Sequence, residues 1–131
     1  MNPEQVWKEI GERFADRAYA AELLQRQDQQ GLDVVLELFW ECALARGIRL
    51  SEQARQDAAA LVDDWRAEVV QPLRQLRRRM KPLQTKVVEA AGIRAQIQAA
   101  ELQAERAQIR MLCEWLDAYQ ARSATAQALG G

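Results

Sequence analysis

Histidine is absent from all 131 residues of this chain. That removes the usual general base near neutral pH and the commonest metal ligand. It excludes Ser-His-Asp and Cys-His catalysis, His-containing zinc sites and the Glu-x-x-His di-iron bundle. Cysteine is scarce as well. Cys42 and Cys113 are the only two, too few for a four-thiolate zinc site. Both fall inside helical patterns and read as reduced, buried thiols. No cofactor and no metal is expected, and any catalysis would rest on carboxylates, Lys, Tyr or Arg.

Long apolar runs are missing too. The most apolar stretch, Val34 to Ala45, carries Glu37 and Glu41 and falls short of the ~20 residues that cross a bilayer. The opening Met1-Asn2-Pro3-Glu4 lacks the basic and apolar regions of a secretory signal. The expectation is a cytoplasmic chain with no membrane span. Charge of one sign is lacking overall, since the net is −1, so the whole molecule is not a polyanion binder.

What is present is helical periodicity. Asn2-Pro3 reads as an N-cap with Pro at the first helical position, followed by Val6, Trp7, Ile10 and Phe14 on one face. Tyr19, Leu23 and Leu24 continue a helical pattern to about Gln30, and neither Gly nor Pro marks a break near Asp16-Arg17. Gly31 stops this region. Asp33 caps a third helix, Val34 to Arg46, which is apolar on most faces and therefore central. Phe39 and Trp40 are expected in the core. Gly47 ends that helix and Ser51 caps the next.

An apolar seam then runs through Leu61, Trp65, Val69, Leu73, Leu76, Met80, Leu83 and Val87, with a kink or break expected at Pro72 and Pro82. The last helix is expected from about Val87 to Arg122. It carries one stripe of Ile93, Ile97, Ala100, Ala104, Ala107, Met111 and Trp115, and a second of Leu102, Ile109, Leu112, Leu116 and Tyr119. Small residues in such a stripe let another helix come close. That partner is either another part of the chain or a second copy, making a homodimer through residues 93–119. The fold expected is all-α: an irregular bundle of about five helices, with the apolar helix 34–46 at its centre and a long Ala-rich C-terminal helix. Residues 1–122 form one domain and 123–131 a flexible tail.

The sharpest chemical feature is basic. Between Val69 and Val88 stand six positive charges and no acid, leaving −7 for the rest of the chain. Arg74, Arg77, Arg78 and Lys81 share a helical face. Such a stripe suits an acidic protein partner, nucleic acid phosphates or anionic lipid heads. It also suits a solvated face that answers the chain's own acids. No aromatic is interleaved, which disfavours single-strand stacking. A weaker candidate is Glu37 with Glu41, one turn apart, which could join Asp63 and Asp64 around a divalent ion or serve acid–base chemistry. Exposure or pairing with arginine explains them as well. The four tryptophans, Trp7, Trp40, Trp65 and Trp115, either line a ligand pocket or pack the core, and core packing is the simpler reading.

Several segments carry a resemblance. They are Leu24-Gln25-Arg26-Gln27-Asp28, Gly31-Leu32-Asp33-Val34, Leu38-Phe39-Trp40, Gly47-Ile48-Arg49-Leu50, the run from Trp65 to Arg78, and Glu101 to Arg106. Together they resemble a family of small proteobacterial helical proteins catalogued only as a domain of unknown function, over about residues 6–110. Two positions depart from it: Arg17-Ala18 stands where such proteins carry Pro-Gly, and Val35 where they carry Asn. The resemblance implies a bacterial cytosolic helical protein and no chemistry.

The leading functional reading is a non-enzymatic interaction or adaptor protein that uses its basic face (74–86) and its C-terminal helix. The alternatives are a nucleic-acid-binding protein using the same face, and a carboxylate-dependent enzyme. Given this ligand inventory, EDTA is expected to leave the melting temperature unchanged. A fall of several degrees would revive Glu37 and Glu41 as metal ligands.

Overall fold

The computed structural model describes residues 1–130. Helix α1 (Pro3–Phe14) starts as its sequence dictates, with the Asn2 side chain accepting from the Glu4 and Gln5 amides at 2.9 and 3.2 Å. It ends at Ala15. Asp16 then caps α2 (Arg17–Gln30), accepting from the Tyr19 amide, so the break missed in the sequence is made by a capping carboxylate and not by Gly or Pro. Gly31 closes α2 at φ 68°, a conformation that favours glycine. Helix α3 (Val34–Ala45) follows, capped by Asp33. Ser51 caps α4 (Glu52–Trp65) through a bond from the Ala54 amide to its hydroxyl.

Helix α4 does not stop at Trp65. A π turn, Arg66–Val70, carries it directly into α5 (Gln71–Met80). The cause is Pro72. It has no N–H to give and its ring crowds the carbonyl one turn back. The ladder opens by one residue, and the Gln71 amide reaches back to the Arg66 carbonyl. At Pro82 the α-helix instead ends, and Lys81–Thr85 form a 3-10 turn. The chain returns as α6 (Ala90–Gly130), antiparallel to α5. Counting α4, the π turn and α5 as one rod gives five helical bodies, with no strand among the described residues. Helix α6 continues past Arg122, because Ala-rich sequence such as Ala124 to Leu129 favours helix. Of the expected tail, Gly131 lies outside the described residues.

The core forms around α3, whose Leu38, Phe39, Cys42 and Ala43 are almost completely buried. Val6 and Ile10 of α1, Leu23 of α2, Ala58 and Val62 of α4, and Ile109, Leu112, Cys113 and Leu116 of α6 close around it. The second of the two stripes on α6 is thus the one that faces the core. Ala104, from the first stripe, is covered within the chain, where the Trp65 indole donates to its carbonyl at 2.9 Å.

The seam drawn from Leu61 to Val87 is displaced. Leu61, Leu76, Leu83 and Val87 are exposed, whereas Ala54, Ala58, Val62 and Val70 are buried. Small residues and arginine stems cover the contact with α6, and the larger side chains fall on its flank. The cysteines are free and buried, and burial pushes the Cys113 thiol up to about 11, leaving it inert at neutral pH.

Trp7, Trp40 and Trp115 sit at the rim of this core. Phe39 is sealed, but Trp40 is only half buried. It meets Phe39 and Trp115 edge-on at 5.4 and 6.5 Å, under the guanidinium of Arg55. The expectation that both belong to the interior therefore holds for Phe39 and needs correcting for Trp40. Phe39→Ala should cost about 3–5 kcal/mol in urea melts, the range for emptying a large core site. Trp40→Ala should cost less, about 1–3 kcal/mol, because a half-buried ring transfers less area. Equal losses would show that Trp40 lies inside.

Candidate functional site

Where α5 and α6 meet the α1–α3 layer, a cleft of about 410 Å³ remains. Its apolar wall is made by Trp7, Ile10, Phe14, Leu24, Leu38 and Leu102. Its charged lining is Arg74, Arg77 and Arg78 from α5 and Glu101 and Glu105 from α6. A second, polar recess of about 190 Å³ adjoins it, lined by Arg66, Arg74, Arg78 and Asp28 with Gln27, Gln71 and Gln75. The two share Gln27, Arg74 and Arg78, so they form one groove with an apolar end and a guanidinium-rich end.

The arginines have distinct roles. Arg77 donates to Glu101 Oε1 at 2.5 Å, and Arg94 donates to the Arg77 carbonyl at 3.0 Å. Arg74 lies 3.5 Å from Glu101 and 3.6 Å from Glu105. The Gln27 amide oxygen, turned toward Arg74, accepts from it at 2.9 Å. Arg78 points outward, half exposed, and pairs with Asp28 at 2.9 Å. Lys81 is exposed at the start of the 3-10 turn and lines neither recess. Three of the four basic-face residues thus converge on the groove, two of them turned toward α6.

Sequence reasoning missed the acids that meet them. Glu101 is 5% exposed and Glu105 is largely covered. Burial, with the like charge of Glu101 added, pushes the Glu105 carboxyl from its ordinary 4.5 up to about 7, against the pull of Arg74. Gln108, fully buried, donates to Asp33 at 2.8 Å. The signal was available: Glu101, Glu105, Gln108 and Leu112 recur at four, three and four residues, one helical stripe. Arg66, also missed, sits at the mouth of the π turn and donates to the Gly31 carbonyl at 2.8 Å.

Glu37 and Glu41 lie elsewhere. They are half buried on α3, and Glu41 accepts from the Tyr19 hydroxyl at 2.6 Å. Burial and this bond push the Tyr19 phenol up to about 12. Asp63 and Asp64 are exposed on α4. Among the described residues, no three His, Cys, Asp or Glu side chains gather as a metal site.

Fold and groove define a small all-helical protein with a two-ended cleft walled by an arginine–glutamate network. The chain belongs to the family described as "Protein of unknown function (DUF2390)", whose model matches residues 5–112. That span contains every residue lining the groove. No curated protein and no solved structure matches the chain.

The elevated Glu105 makes a testable linkage. Folded, it holds a proton that the unfolded chain releases near 4.5. Its contribution is therefore fully present below that pH and is lost as pH rises through about 7. Glu105→Gln, which keeps the neutral form, should flatten the decline in melting temperature across that window. An unchanged slope would place the proton elsewhere.

Proposed function

We propose that this chain is a non-enzymatic interaction protein that receives, in its groove, an apolar segment of a partner ending in a carboxylate. The observation that carries the reading is Arg78, whose guanidinium has only the exposed partner Asp28 among the described residues, beside a cleft lined by Trp7, Phe14, Leu24 and Leu102. Burial of the apolar body would drive binding. A carboxylate would replace Asp28 on the exposed guanidinium of Arg78, where paired hydrogen bonds give orientation. The existing Arg78–Asp28 pair is exposed on both sides and therefore weak, about 0–1 kcal/mol, so exchanging it is cheap.

Nucleic acid is the alternative occupant of the same face. Arg74 and Arg77, committed to Glu101 and Glu105, leave it fewer free cations there. The carboxylate-enzyme alternative would draw on Glu105, whose raised pKa in a cleft is a feature of acid–base residues.

Arg78→Glu is the clean test. Reversing Arg74 would bring a third carboxylate against Glu101 and Glu105 and destabilise the fold. Arg78→Glu should leave stability within about 1 kcal/mol, as surface changes do. Peptides selected from an apolar–acidic library by quenching of Trp fluorescence should lose at least about tenfold in affinity, or 1.4 kcal/mol, to Arg78→Glu and also to Leu102→Lys. Binders indifferent to both variants would sink the cleft reading. Salt-sensitive retention on heparin that depends on Arg78 but not on Leu102 would favour nucleic acid.

A further inference from the structure

The turn joining α5 to α6 shares no residue with the groove, and its composition is unlike the rest of the surface. The 3-10 turn packs on α5 and α6, so residues 79–89 form the tip of a helical hairpin. Leu83 and Val87 are 42% and 47% exposed there and Val88 is 94% exposed. Single exposed apolar residues are ordinary, but here three fall within six positions. Around them stand Arg79, Lys81 and Lys86, all exposed and without an ion pair among the described residues, against one acid, Glu89.

We propose that this tip docks on an anionic lipid surface, with Val88, Val87 and Leu83 entering the headgroup boundary and Arg79, Lys81 and Lys86 contacting lipid phosphates. The charge fits a negatively charged leaflet, where basic residues next to inserted apolar side chains act together. The composition selects the partner class. The tip lies outside both recesses of the groove and sets three exposed apolar side chains among these unpaired cations. A deformable sheet of headgroups can surround it on every side. Among the described residues no helix is long and apolar enough to span a bilayer, so the contact proposed is peripheral. Strong salt dependence follows from screening.

The test is co-sedimentation of the full chain with phosphatidylcholine vesicles, with and without phosphatidylglycerol, at low and high salt. Binding is expected only to the anionic vesicles and should fade as salt rises. Val88→Ser, and separately Lys81→Glu with Lys86→Glu, should each weaken it by about tenfold with unchanged melting curves. Arg78→Glu, at the groove, should leave it largely intact. Absence of binding to anionic vesicles at low salt overturns the proposal. Binding that Val88→Ser does not weaken overturns it too, since the tip would then act only as a cation cluster for any polyanion. A greater loss from Arg78→Glu than from the double lysine variant would move the contact surface to the groove.

Discussion

Asp33 ties together the parts of the molecule that chain connectivity leaves separate. One carboxylate oxygen caps α3 through the Leu36 amide at 3.1 Å. The other accepts from Gln108 of α6 and lies 3.6 Å from the Arg66 guanidinium in the π turn. The position of α3, the phase of α6 and the path of the α4–α5 rod therefore meet at a single side chain. A buried charge is tolerable only when it is paired and hydrogen-bonded, and the two oxygens here are shared among three helices. Removing the carboxylate would loosen a cap, leave Arg66 only its bond to the Gly31 carbonyl, and leave the buried Gln108 amide without its acceptor.

The same logic scales up to the groove. Glu101 and Glu105 would be costly so far from water without Arg74 and Arg77, and the two arginines would repel without the glutamates. The network resists replacement of single members, because a buried pair broken on one side leaves an uncompensated charge. It also leaves room between α5 and the α1–α3 layer. Guanidinium stems fill less of the gap than Leu or Phe would, and the unfilled part is the cleft. The groove thus follows from seating α5 on α6 through ion pairs.

Much of this architecture is legible in the residues themselves. Asn2-Pro3, Gly31, Asp33, Gly47 and Ser51 mark helix ends by local chemistry, so those boundaries stand in the sequence as in the structure. The apolar surround of Val34 to Ala45 likewise identifies the central helix. Legibility fails where a side chain's environment is made by a distant segment. Leu61 and Leu76 look like core residues because they are large and apolar, yet Ala58, Val62 and Val70 take the inward positions. Glu101 and Glu105 look like solvated charges on an Ala-rich helix, and only the approach of α5 makes them interior. Arg74 and Arg77 look like an outward stripe, because the acids that turn them inward lie more than twenty residues further on. Arg78, one turn from Arg74 on the same face, does stay half exposed, as an outward stripe would have it.

The π turn carries a consequence for the timing of residues along the α4–α5 rod. One residue more than an α-helical turn needs is accommodated between Arg66 and Val70. That extra residue acts as a phase offset, setting everything after it back by about 100° about the helix axis relative to an unbroken α-helix of the same sequence. The offset brings Arg74 and Arg77 to α6 while Ala54, Ala58 and Val62 still face inward upstream. Loss of one residue from this turn would let the rod close into an unbroken α-helix and leave the arginines in register with Glu101 and Glu105. Straightening the turn at unchanged length would instead rotate them away from those acids. In this chain, the winding between Arg66 and Val70 specifies which side chains wall the groove as strictly as residue identity does.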